Sequence, residues 1–163
     1  MKKHSTQQGL GLVEIIVAVA VILVAFTSVL LLFQLQVRVE EARREDTRAY
    51  AFLSEAMEGV RSVRDDAWAN LSGLTVNTNY YPQVSGSAWV LSTNNPGPTD
   101  GYTRWVVFRS VRRDIATNDG IVSSGGYLDP DTLQVTAYVE WQSRGKTKQK
   151  SVVTYMTNWQ NKI

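Results

Sequence analysis

Apolar positions along the chain follow three successive patterns. From Ile15 to Phe33 they are almost continuous: 19 residues carry no charge, and Thr27 and Ser28 are the only polar members. At about 1.5 Å per residue this is roughly 28 Å of helix, enough to cross a bilayer. From residue 32 to residue 67 the pattern changes to alternating steps of three and four. Leu32, Leu35, Val39, Ala42, Asp46, Ala49, Leu53, Ala56, Val60, Val63 and Ala67 fall on those steps, and ten of the eleven are apolar. That stripe predicts that the helix continues past the span to about Trp68 as an amphipathic segment. Proline is absent before Pro82, and Gly59 is the only glycine between Gly11 and Gly73, so no residue in between is a helix stop. Leu10 to Trp68 would be one rod of 59 residues, roughly 88 Å if unbroken.

Near the C-terminus the period becomes two. Leu133, Val135, Ala137, Val139 and Trp141 alternate with Gln134, Thr136, Tyr138, Glu140 and Gln142, predicting a strand with one buried and one wet face. Arg144-Gly145 then reverses the chain into a partner strand over Ser151 to Asn158. Tyr102 to Arg109 is β-branched and aromatic enough for another strand. Residues 70–101 are rich in Asn, Ser, Gly, Thr and Pro and read as loop, interrupted by a short strand around Ala88 to Leu91. Asn118-Asp119-Gly120 and Ser123 to Gly126 mark a further loop. A three-four stripe also defines a coiled-coil seam. The small residues at four of its positions, and the compact region that follows, favour packing against a sheet instead. The fold class is therefore α+β, a long N-terminal helix laid on an antiparallel sheet.

One acid, Glu14, stands at the head of the apolar run, where lipid accepts a carboxylate only at high cost. Before it lie a basic leader, Lys2-Lys3-His4, and Gly9. An ordinary secretory signal has a shorter apolar core followed by a small-x-small cleavage site. Here the only Ala-x-Ala, at Ala18 and Ala20, is inside the run. A permanent single-span anchor accounts for the length but leaves Gly9 and Glu14 without a role.

Gly9-Leu10-Gly11-Leu12-Val13-Glu14 followed by an apolar run resembles the leader junction of type IV prepilins and type II secretion pseudopilins. The resemblance implies a leader of residues 1–9, cleaved between Gly9 and Leu10 by a membrane prepilin peptidase, with methylation of the new amino group on Leu10. It also implies that Glu14 pairs with the N-terminal amine of a neighbouring subunit during filament assembly. A carboxylate and an ammonium withdrawn from water offset their desolvation only in good geometry, so such a pair acts as a register device. Gly11 stands where the family more often has a small hydroxyl residue, and the span lacks the proline that breaks the helix in many major pilins. The segment Ala49 to Arg61 is similar to the post-span helix of minor pilins and pseudopilins. The implied partners are other pilin or pseudopilin subunits, the prepilin peptidase, an inner-membrane assembly platform and, before assembly, membrane lipid.

The expected organisation is a leader at 1–9, a transmembrane and assembly helix at 10–33, its amphipathic continuation at 34–68 and an antiparallel β domain at 69–163. The C-terminal domain would lie outside the cytoplasm and later in a filament on the cell surface or in the periplasm. A count of positive residues alone reverses that orientation, since Arg38, Arg43, Arg44 and Arg48 outnumber Lys2 and Lys3. Those arginines, however, are interleaved with Glu40, Glu41, Glu45 and Asp46, and the prepilin resemblance requires a cytoplasmic leader.

Charge and composition narrow the chemistry. Lys2 and Lys3 account for the whole net charge of +2; without them the basic residues equal the 15 acidic ones, so a nucleic-acid partner is not indicated. With no cysteine and His4 as the only histidine, thiolate sites, histidine triads and multi-histidine metal sites are excluded. Asp114, Asp119, Asp129 and Asp131 flank the loop before the final hairpin and could with backbone carbonyls hold calcium, but aspartates beside Gly and Pro read better as turn formers, so no cofactor or metal is expected. Arg144, Lys146, Lys148 and Lys150 make a basic hairpin tip, read as a strand edge guarded against aggregation. Trp89, Trp105, Trp141 and Trp159 read as core residues. The expected role is structural rather than enzymatic, with a permanently membrane-anchored binding or adhesin domain as the alternative.

Overall fold

The computed structural model describes residues 8–159. The leader residues Lys2, Lys3 and His4 lie outside the described residues. Helix α1 runs Gln8–Asp66, so one helix joins the apolar run to the amphipathic stripe. The described residues divide into two compact units, with the boundary between Asp46 and Thr47.

In the second unit, α1 from residue 47 onward is the helical layer. It is followed by α2 (Ala69–Ser72), β1 (Asn79–Ser85), β2 (Ala88–Ser92), β3 (Tyr102–Asp114), a single 3₁₀ turn at Ile115–Thr117, β4 (Gly120–Val122), β5 (Tyr127–Ser143) and β6 (Lys146–Thr157). The strands form an antiparallel sheet in the order β2-β1-β3-β5-β6, with β4 pairing with β3. The α+β class read from the sequence is the observed one: a long apolar N-terminal helix followed by an antiparallel sheet.

The stripe finds its cover in this sheet. Ala49, Leu53, Ala56, Val60 and Val63 are buried together with Val106, Phe108, Val135, Ala137, Val139 and Trp141. Alanines at two of these positions let the helix backbone approach the strands closely. Gly59 does so further: a Cβ there would lie 2.8 Å from the Trp89 ring. At one end of the helix–sheet interface Phe52, Tyr102 and Trp141 stack in a row, with ring centroids 5.2 and 5.5 Å apart. Arg104 closes the row, lying 5.3 Å over Phe52 while both terminal nitrogens donate to the Glu55 carboxylate at 2.9 and 3.1 Å.

Several boundaries differ from the sequence reading, each for a local reason. Helix α1 ends at Asp66 rather than Trp68, because Trp68 turns in to pack against the core and α2 buries Leu71 beside it. The strand predicted around Ala88 to Leu91 is β2, and the stretch before it, predicted as loop, holds its hairpin partner β1. Pro82 within β1 disguised the strand, and a two-residue turn begins at Gly86 with φ of +63°. Strand β3 runs on to Asp114 through an irregularity at Ser110/Val111, and β4 lies within the predicted 118–126 loop. Strand β6 begins at Lys146, not Ser151, because Arg144 and Gly145 both take positive φ and reverse the chain in two residues. The face of β5 predicted to be wet is only partly so: Thr136 is buried and Tyr138 stacks on Trp105 at 5.4 Å, with the rings 12° from parallel. Trp105 is therefore on the sheet face opposite α1. Trp159 is 53% exposed, so neither of these two tryptophans belongs to the core.

Candidate functional site

The residues singled out from the sequence all lie on α1. Gly9 and Leu10 are helical backbone, and Glu14 follows on the same helix with an exposed side chain. Glu14 is the single charged residue between Gly11 and Val37. A helix rises about 6 Å over the four residues from Leu10 to Glu14, so a carboxylate at that position remains near the head of the helix. From Leu12 to Val39 every large apolar side chain named on this helix is exposed, including Ile15, Ile22, Phe26, Leu31 and Phe33. The helix is apolar and long enough to cross a membrane. The two polar side chains within residues 15–33 turn inward on their own backbone: the Thr27 and Ser28 hydroxyls donate to the Val24 carbonyl at 3.0 and 2.7 Å.

The stripe predicted as continuous is thus buried only in part. Leu32, Leu35 and Val39 are exposed, Ala42 and Asp46 are half-buried, and full burial begins at Ala49. The charged stretch after the span includes an ion pair one turn long, Arg44 to Glu40 at 3.1 Å. Such exposed pairs contribute only a few tenths of a kcal/mol, about 0.3–0.5.

The second unit carries a separate polar cluster that sequence reasoning did not assemble. Arg113 donates to Asp129 at 2.5 Å and to the Asp119 carbonyl at 2.8 Å, and Tyr127 donates to the Asp119 carboxylate at 3.0 Å. The neighbouring Arg112 donates to the carbonyls of Gly125 and Gly126 at 2.6 and 3.0 Å. Two adjacent arginines thereby lace the β3–β5 connection from its two sides. The sequence reading groups Asp119 and Asp129 only as calcium candidates and leaves out Arg112, Arg113 and Tyr127, because the β3–β5 register creates the juxtaposition.

Electrostatics follow the same contacts. Burial pushes the Asp129 carboxyl up, but bonds from Arg113, the Thr132 hydroxyl and the Asp131 backbone N–H outweigh it and hold the group below its ordinary value. Arg113 is raised further by its bond to Asp129, and the Tyr127 phenol is raised because its proton is held on the Asp119 carboxylate. At the end of α1, Asp65 is lowered, first by its bond from Arg64 and then by that from Trp159.

Asp119, Asp129 and Asp131 line one recess of about 300 Å³, together with Arg113, Tyr127, Thr132 and Thr157. Each acid has a protein partner there: Asp131 accepts from Asn158 at 2.9 Å, while Asp114 lies apart and caps the 3₁₀ turn through the Ala116 N–H at 3.0 Å. No group of three or more metal-ligating side chains that could hold an ion occurs among the described residues. The basic hairpin tip is drawn back over aromatic rings, with Lys148 5.9 Å from Trp141 and Lys150 4.4 Å from Tyr50. In comparisons with known proteins, no family, no curated protein and no solved structure matches this chain.

Proposed function

We propose that this chain is a prepilin-like structural subunit, a minor pilin or pseudopilin, that is cleaved between Gly9 and Leu10 and assembled into a filament through α1. The observation that supports this reading most is the division of α1: an exposed apolar half bearing one acid near its head, and a second half buried under a sheet of its own chain. A lipid anchor alone needs the first half but gives Glu14 no reason. Assembly gives it one, since a carboxylate facing the freed amine of a neighbour at Leu10 fixes axial register where every other contact is apolar. In this reading Leu10 carries the methyl group, and lipid holds the subunit until neighbours replace it. The C-terminal unit lies outside the cytoplasm, the role is structural rather than catalytic, and no cofactor is called for.

Intact-mass measurement of the protein purified from membranes tests the processing step. The expected species begins at Leu10 with one added methyl group. Glu14→Ala is expected to leave that mass unchanged while the variant disappears from sheared filaments. A native chain that retains Met1 and never enters a polymer would overturn the proposal in favour of a permanently anchored binding domain.

A further inference from the structure

The last strand of the sheet has an open side. Among the described residues β6 pairs only with β5, and it stands at the end of the strand order. All 12 of its residues pair with β5 in unbroken register, with no bulge to twist the edge away, and it contains no proline. A long straight edge of this kind presents a row of backbone donors and acceptors to any other extended chain.

The devices that usually blunt such an edge are unevenly placed. Lys146, Lys148 and Lys150 guard its first five residues, and Arg144 precedes them in the turn. From Ser151 to Thr157 the strand has no charge at all and is rich in β-branched residues. Val153 and Tyr155 are 52% and 46% exposed on one face, and Val152 is 39% exposed on the other. A strand added there would bury apolar surface on both faces while completing the ladder. The segment from Arg144 to Asn158 also contains no acidic residue of its own, and its four cations are gathered at the lysine end.

We infer that β6 is an acceptor edge for an extended segment of another polypeptide, one that alternates apolar and polar residues beside Ser151–Thr157 and carries carboxylates beside Lys146–Lys150. Main-chain hydrogen bonds supply the affinity and the charge gradient supplies direction. A second copy of this chain satisfies the second requirement poorly. Parallel pairing in register sets lysine against lysine, and antiparallel pairing through the uncharged half leaves the lysine end without an acid opposite. The inference rests on the second unit alone and stands or falls independently of filament assembly.

The test uses the full chain in detergent micelles and two fluorescent octapeptides of alternating valine and threonine, one ending in two aspartates and the other in two lysines. Fluorescence anisotropy should show the acidic peptide binding at least about tenfold more tightly than the basic one, and Val153→Lys should weaken the acidic peptide by about tenfold or more. Amide hydrogen exchange of the unaltered chain should show new protection over residues 151–157. Tyr155→Lys replaces Val153→Lys if the latter loses its native circular dichroism. Absence of binding, protection that falls elsewhere, or equal affinity for both peptides would overturn the inference. So would concentration-dependent self-association abolished by the same lysine substitution, because the occupant would then be a second copy.

Discussion

Within the single helix α1, two segments meet opposite fates. Residues 12–39 expose nearly all their large side chains, whereas Ala49, Leu53, Ala56, Val60 and Val63 are sealed beneath the sheet. The first is apolar almost throughout, and the second is apolar along one face only. What separates them is side-chain size and periodicity: the first segment is bulky on all sides, and the second confines small and medium residues to one stripe that strands can approach. A helix apolar all round needs an environment that is apolar all round, while a striped helix needs only one partner layer.

The contrast predicts effects of very different size. In detergent-solubilised protein, Leu53→Ala should lower the unfolding free energy of the β-containing unit by about 2–5 kcal/mol, since Leu53 is 2% exposed and leaves a cavity. Leu31→Ala, at a position 65% exposed, should move the same denaturant midpoint by less than about 0.5 kcal/mol. Equal effects would show that the two segments do not differ as described.

A glycine pair sharpens the comparison. Gly59→Val drives a side chain into the Trp89 ring and should cost about 1–3 kcal/mol by overpacking. Gly11→Ala meets nothing within 4 Å and should leave that transition in place. Thermal unfolding followed by tryptophan fluorescence reads both, because Trp89 reports on the first site.

A third comparison concerns pH. Asp129 lies below its ordinary value in the folded chain, so its contribution is fully present above its unfolded value of about 3.9 and is lost as the pH falls through the folded value. Asp129→Asn should therefore reduce stability at pH 7 by about 1–2 kcal/mol and flatten the loss seen on acidification. The helical signal of the exposed half of α1 should be indifferent to that substitution. Parallel acid titrations of the two proteins by circular dichroism check this, and an unchanged acid limb would remove Asp129 from the account.

The main outlines of the fold were legible because they rest on periodicity. The steps of three and four in α1 and the alternation in β5 each report a single buried face, and Arg144-Gly145 is a turn signal that few other conformations accommodate. Strand β2 was legible at Ala88 to Leu91, but its partner β1 was hidden because Pro82 and the polar residues around it obey loop statistics, although the strand buries Tyr80 and Pro82. Trp105 misled for a different reason: size predicts burial, but its place on β3 puts it on the face opposite the helix, where Tyr138 shelters it. The Arg112 and Arg113 contacts depend on register between strands distant in sequence, which no local pattern encodes. For Gly9, Leu10 and Glu14 the sequence supplied the spacing, and the fold adds that they share one helix with the exposed apolar segment.

The inward-turned hydroxyls of Thr27 and Ser28 have a mechanical corollary. With both donors committed to the Val24 carbonyl, residues 15–33 offer an adjoining surface no side-chain hydrogen-bond donor, and contour carries most of the contact. A greasy cylinder of this kind resists being pulled into water yet gives little resistance to rotating about its axis or slipping lengthwise by a turn against its surroundings. Any fixed register along such a surface has to come from groups at its ends.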